Sequence, residues 1–252
     1  MLNPTKTLLI AVLALGSLGP VAADDDEDIR LYMQGRYVFG RHCAVCHGKT
    51  GRGDGELAKG VTIKPRDFRK GVFKFRTTPM GKLPTDDDLK RTIRSGVSGS
   101  MMPTFALSES DLRSVLEYIK ALSRRWADPD LKVGSTVLPA TPGWLTDGKK
   151  HRAHADEGRA VFKIHCANCH GEGGKGDGSA SKGLKDIWGD PIGPADLSSQ
   201  HHRGGDSPSD LFRTIAMGLD GTPMIGFLKP LGAEKIWDLV AFIETLSESG
   251  AR

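Results

Sequence analysis

The chain has 252 residues, 38% of them hydrophobic and 26% charged, with 35 basic against 31 acidic side chains. That length suits one or two folded domains, and the small net charge argues against a nucleic-acid binder, which draws its affinity from a strong positive field. Aromatic residues make up only 6%, thin for two cores unless something besides side chains fills them.

Residues 1–23 read as an export signal. Lys6 supplies a short positive region, Leu8 to Leu18 an apolar core, and Val21-Ala22-Ala23 a small-residue cleavage site before the acidic run Asp24 to Asp28. The apolar stretch falls short of the roughly 20 residues a membrane span needs. Cleavage is therefore expected, with a retained N-terminal anchor as the alternative, and the expected location is the periplasm. A helix is predicted over Asp28 to Gly40. It leads into Cys43-Ala44-Val45-Cys46-His47.

C-x-x-C-H is the attachment signal of c-type haem. Two thiols three residues apart lie about one helical turn from each other. They suit thioethers to the two vinyl groups of one haem, and the next residue, His47, offers a neutral imidazole nitrogen to the iron. A redox dithiol does not need the histidine. A zinc site needs further Cys or His at finger-like spacing, which the rest of the chain lacks. The motif recurs as Cys166-Ala167-Asn168-Cys169-His170, so the two copies use all 4 cysteines. Two haem c groups are expected, held covalently by Cys43, Cys46, Cys166 and Cys169, with His47 and His170 on the irons. Haem attachment outside the cytoplasm agrees with export.

A glycine-rich loop follows, then Pro65-Arg66-Asp67-Phe68. Pro65, and Pro194 in the second half, are candidates to set a carbonyl against the ring N–H of the neighbouring histidine and so fix its tautomer. Arg66, Arg69, Lys70, Lys74, Arg76 and Lys82 form the densest basic cluster. It is expected to dock an acidic redox partner or to supply an arginine to a haem propionate; a merely solvated charged face is the plain reading. Thr85 with Asp86 to Asp88 starts a helix that stops at Gly96. Met102-Pro103 follows, then a helix capped by Ser108 with Asp111 three residues on. That helix carries Leu112, Val115, Leu116 and Ile119 on one face. Residues 131–150, with Gly134, Pro139, Pro142 and Gly143, read as a semi-rigid linker. Trp126 and Trp144 flank it and are expected either at an interface between domains or in a plain surface position.

The second half repeats the first. Gly35, Phe39 and both cysteines recur 123 residues later, and Leu89 to Met102 recurs 122 residues later as Leu211 to Met224. The chain thus divides into 1–23 signal, 24–130 first domain, 131–150 linker and 151–252 second domain. The halves differ in charge, 20 basic against 16 acidic in the first domain and 14 against 15 in the rest. The segment Val72 to Pro84 has no clear counterpart. Met102 and Met224 sit at matching positions, each before a phenylalanine, and are the candidate sixth iron ligands. Met101 aligns with Pro223, which cannot ligate, and His201 and His202 have no equivalent in the first unit and read as a solvated loop pair. Met/His ligation closes the iron and raises its potential.

On these residues the chain resembles class I c-type cytochromes, and in particular the dihaem, two-domain members of the cytochrome c4 sort. The carriers are Gly35, Phe39, Cys43-x-x-Cys46-His47, Met102-Pro103 and Tyr118, then Gly158, Phe162, Cys166-x-x-Cys169-His170, Met224 and Phe242. The resemblance implies an all-α fold of two tandem cytochrome c domains, each a small helical bundle around one covalent haem. It implies that the glycine and aromatic of each first helix meet the aromatic of each last helix. It also implies a periplasmic electron carrier with no catalytic residues, either free or the cytochrome subunit of a larger oxidoreductase. Its partners would be redox proteins, a membrane-bound one among them, and no nucleic acid. The Phe73–Pro84 insertion, the longer linker and Ile225 in place of Pro103 depart from the family pattern. The alternative is a dihaem enzyme of peroxidase or thiosulfate-oxidising type, with one haem open to substrate.

Overall fold

The computed structural model describes residues 23–250, so the expected export signal lies outside the described residues apart from Ala23. Among the described residues eight α-helices follow in order: α1 (Ala23–His42), α2 (Ala44–His47), α3 (Asp86–Ser95), α4 (Glu109–Ala121), α5 (Gly148–His165), α6 (Ala167–His170), α7 (Pro208–Met217) and α8 (Leu228–Gly250). Among the described residues there is no strand; one isolated bridge joins Lys185 to Pro191. None of the described helices is long and apolar enough to cross a membrane.

α1 runs further than the expected Asp28 to Gly40 at both ends. It crosses α4, burying Val38 and Phe39 among Leu112, Val115, Tyr118 and Ile119. α5 crosses α8 in the same way, with Phe162 against Leu239, Val240 and Phe242. Each crossing is closed by a glycine. A Cβ on Gly35 would collide with the Ser114 carbonyl and come within 2.9 Å of Tyr118 Cβ; one on Gly158 would collide with the Asp238 carbonyl. Only glycine lets the backbones approach this closely. Beside them Phe39 meets Tyr118 with ring centroids 5.0 Å apart, and Phe162 meets Phe242 at 5.1 Å.

The shorter helices α3 and α7 begin on side-chain caps. Thr85 accepts from the Asp88 N–H while the Asp88 carboxylate accepts from the Thr85 N–H, and Ser207 accepts from the Asp210 N–H with Pro208 in the first turn. Both stop at a positive-φ glycine, Gly96 and Gly218. α8 contains a backbone break at Gly232, with φ of 77°.

The segment 72–84 forms no helix yet buries several of its side chains: Leu83 and Arg76 are 1% exposed and Thr78 is fully covered. The start of the linker lies along it, with Thr136 N–H to Thr77 carbonyl at 2.8 Å and Leu83 N–H to Leu131 carbonyl at 2.9 Å. The two tryptophans flanking the linker do not meet between the repeats. Trp126 packs on Phe73 in the first core, and Trp144 stacks on His154 at 3.7 Å in the second. Trp188 is one of the residues that span the repeats: the Arg66 guanidinium lies 4.0 Å from its ring.

Candidate functional site

α2 and α6 are single helical turns that carry the cysteine–histidine motifs. Each turn follows directly on the long helix before it, with Cys43 N–H bonded to the Phe39 carbonyl and Cys166 N–H to that of Phe162. Each ends in a positive-φ glycine, Gly48 or Gly171. The loops then fold back identically: Gly53 N–H to His47 carbonyl and Gly176 N–H to His170 carbonyl, both at 2.8 Å.

The histidine rings are held by backbone. His47 Nδ1–H donates to the Arg66 carbonyl at 3.0 Å, and His170 Nδ1–H to the Ala195 carbonyl at 3.1 Å. A carbonyl can only accept, so the proton sits on Nδ1 and Nε2 is left as a lone-pair donor for a metal. The acceptors correct the assignment to Pro65 and Pro194 by one residue. Successive carbonyls of an extended chain face opposite ways, and those of Pro65 and Pro194 turn instead onto the space beside Gly53 and Gly176. Burial pushes both imidazoles below their ordinary range, against the opposing pull of the carbonyl bonds. They are neutral at pH 7, as a ligand must be.

No disulfide joins any two of the four cysteines. Burial, with a smaller contribution from the neighbouring cysteine, pushes Cys43 up to about 12 and Cys166 up to about 11. A redox dithiol has the opposite property, a thiol pulled down toward neutrality. Among the described residues no three His, Cys, Asp or Glu side chains gather as a metal ion alone would require. The donor set suits a group that brings its own equatorial ligands.

A cavity of about 360 Å³ lies beside the first motif. Cys43, Cys46, His47 and Met102 all line it, together with apolar Phe68 and Leu89. Its wall has a thioether and an imidazole for an iron, two thiols for vinyl groups and an apolar face for a porphyrin. Met224 occupies the repeat-equivalent place, packed on the second core. The two methionine loops are wired alike: Val97 N–H to Met102 carbonyl and Leu219 N–H to Met224 carbonyl, both at 3.0 Å. Met101 lines the same cavity but is 59% exposed. His201 is exposed, whereas His202, expected in solvent, is 9% exposed with its Nδ1 unpartnered.

The basic cluster divides. Arg69 and Lys70 are exposed. Arg76 is buried, so it cannot dock a partner. Arg66 and Lys74 line the cavity, and Arg203 of the second half joins them there. Burial, then the charges of Arg66 and Arg203, push Lys74 down to about 8, and burial pushes Arg66 down to about 10. These cations fit carboxylates such as haem propionates. Arg203 was not singled out from sequence, although it stands nine residues past Pro194 as Lys74 stands nine past Pro65.

Comparison with known proteins finds a family model in each half of the chain. Residues 32–123 match the family model described as "Cytochrome c", and residues 153–243 match "Cytochrome C oxidase, cbb3-type, subunit III". A chain of the "reducing HAO-like protein complex Kustc0457/Kustc0458" of Kuenenia stuttgartiensis is 35% identical; the match covers 84% of this chain and 95% of that one, with a TM-score of 0.78. The cbb3-type cytochrome c oxidase subunit FixP of Azorhizobium caulinodans is 30% identical over 62% of this chain, and subunit CcoP of Azospirillum brasilense 26% identical over 91%. The chain spans 44% and 69% of the lengths of these two curated relatives. With two cytochrome c units, each bearing the covalent attachment motif for one haem c, the chain belongs to the dihaem class I c-type cytochromes, all-α proteins that transfer electrons.

Proposed function

We propose that this chain is an exported, periplasmic electron carrier with two coordinatively closed haems, working with protein donors and acceptors as a subunit of a larger redox assembly. The units are residues 24–130 and 151–252, joined by the linker 131–150, and residues 1–23 direct export. His47 and Met102 ligate one iron, His170 and Met224 the other. The observation that carries this reading is the presence of His47, Met102, Cys43 and Cys46 in the wall of one cavity. The cbb3 oxidase subunits and the Kuenenia complex chain are named as parts of redox assemblies, which supports the choice of a subunit.

When bound, each haem supplies an iron that cycles between Fe(II) and Fe(III) with no bond made or broken in a substrate. The chain's own residues do the rest. Each histidine keeps its proton on Nδ1, against the Arg66 or Ala195 carbonyl, which fixes the ring's orientation and makes Nε2 a better donor. Apolar side chains such as Phe68 and Leu89 in the cavity wall lower the local polarity around a bound haem. The methionines favour Fe(II) and raise the potential.

Spectroscopy of the ferric protein tests the ligands. Met102→Ala and Met224→Ala are each expected to remove about half of the weak long-wavelength Met–Fe(III) band, and the double variant all of it. Either variant with a full band would show that its methionine is not a ligand. Rapid carbon monoxide binding to the unmodified reduced protein would replace this reading with an enzyme that has one open haem.

A further inference from the structure

The two methionine loops share a hydrogen-bond pattern but not their surroundings. In the first unit the loop faces open space at Gly99, where a Cβ would meet nothing within 4 Å. Its repeat-equivalent, Gly221, is hemmed in. A Cβ there would lie 3.0 Å from Val72 Cγ1 and from Ile187 Cγ2, and 3.2 Å from Trp188. Val72 belongs to the first unit, in the segment that the second unit lacks.

That segment reaches the second methionine loop at three more points. Arg76 Nη1 donates to the Met217 carbonyl at 3.3 Å, at the last residue of α7. Arg76 Nε lies 3.7 Å from Asp220 Oδ2. Gly81 N–H donates to the same Asp220 oxygen at 3.3 Å. Arg76 is 1% and Asp220 9% exposed, so the pair lies where charge attraction is little screened. Asp220 is four residues before Met224, and its counterpart in the first unit's loop is the uncharged Ser98.

We propose that segment 72–84 of the first unit is a clamp on the second unit's iron-ligand loop, with Arg76 as its positioning residue. This inference rests on Met224 being the ligand. The clamp restrains the excursion by which Met224 would leave the iron, so the second haem exchanges its methionine reluctantly. The first haem, whose loop has no such restraint, is the easier one to open. The first unit thereby governs the ligation of a haem it does not bind.

The test is cyanide binding to the ferric holoprotein, followed optically, with two covalent haems confirmed by pyridine haemochrome in each variant. In Met224→Ala the second haem binds at once, and the slow phase that remains belongs to the first haem. Arg76→Ala is expected to speed binding at the second haem by about ten- to a hundredfold, the range for removal of an outer partner of a ligand, with the first haem's phase unmoved. Asp220→Asn keeps the loop's shape and is expected to shift the same phase in the same direction. Arg76→Lys is expected to restore part of the restraint. Two phases unchanged, or both accelerated alike, in Arg76→Ala and Asp220→Asn would overturn the clamp while leaving the ligand assignment intact. A Met224→Ala protein in which neither haem binds cyanide at once would overturn the assignment and the clamp with it.

Discussion

At the scale of single residues, the glycines at the helix crossings show how much one missing atom decides. Gly35 and Gly40 lie on the same helix, five residues apart. A Cβ at Gly35 would drive into the Ser114 backbone, whereas one at Gly40 meets nothing within 4 Å. Gly35→Ala is expected to cost about 3 kcal/mol or more, because a rigid carbonyl cannot yield as a side chain would. Gly40→Ala is expected to stabilise by about 0.5–1 kcal/mol through helix propensity alone. Urea unfolding of the two variants checks both signs, and a shared sign would refute the packing argument. Gly35 and Phe39 were legible in the sequence because the repeat marks them at Gly158 and Phe162. The carbonyls that hold the histidines were legible only to within one residue. Peptide direction in an irregular segment leaves no trace in side-chain identity, so the sequence points to Pro65 where Arg66 acts.

At the scale of elements, helix α3 shows a cap doing a second task. Asp88 is fully buried. It closes the capping box with Thr85, pairs with Arg91, and accepts from both the N–H and the hydroxyl of Thr77 in the clamp segment. Burial alone would push its carboxyl up; the bonds from Thr77, Arg91 and Thr85 outweigh that and hold it below the usual range. A carboxyl held low contributes stability in full above its unfolded value, near 3.9, and loses it as pH falls through the lower folded value. Asp88→Ala is therefore expected to cost about 2–4 kcal/mol at pH 7. The gap between parent and variant should close below about pH 4. Denaturant midpoints across that range measure it, and a gap constant down to pH 2 would contradict the linkage. Thr85 and its acidic turn announced this helix in the sequence. The tie to Thr77 was not announced, because segment 72–84 has no period, no helix and no repeat partner against which to read it. Its basic residues looked like a surface for the same reason. Burial of Arg76 follows from what the second half lays over it.

At the scale of the whole molecule, the duplicated units are similar inside and unlike where they meet. Arg203 comes from the second half yet lines the first half's cavity, close enough to Lys74 to disfavour that residue's charge. A positive charge beside a haem disfavours Fe(III), so removing it should lower that haem's potential. Arg203 is exposed on one side, and solvent weakens its field. At an effective dielectric of about 40 and about 15 Å, the effect is about 20 mV for one electron. Arg203→Gln is thus expected to lower the potential of the first haem by about that amount, though it lies in the second unit. The second haem should hold steady. The shift should shrink in molar salt, where the screening length falls to about 3 Å. A two-component redox titration reads both values, with the components assigned from the Met102→Ala and Met224→Ala proteins. A shift confined to the second haem would mean that Arg203 serves its own unit, and the interface would then carry influence in one direction only, from the clamp segment to Met224.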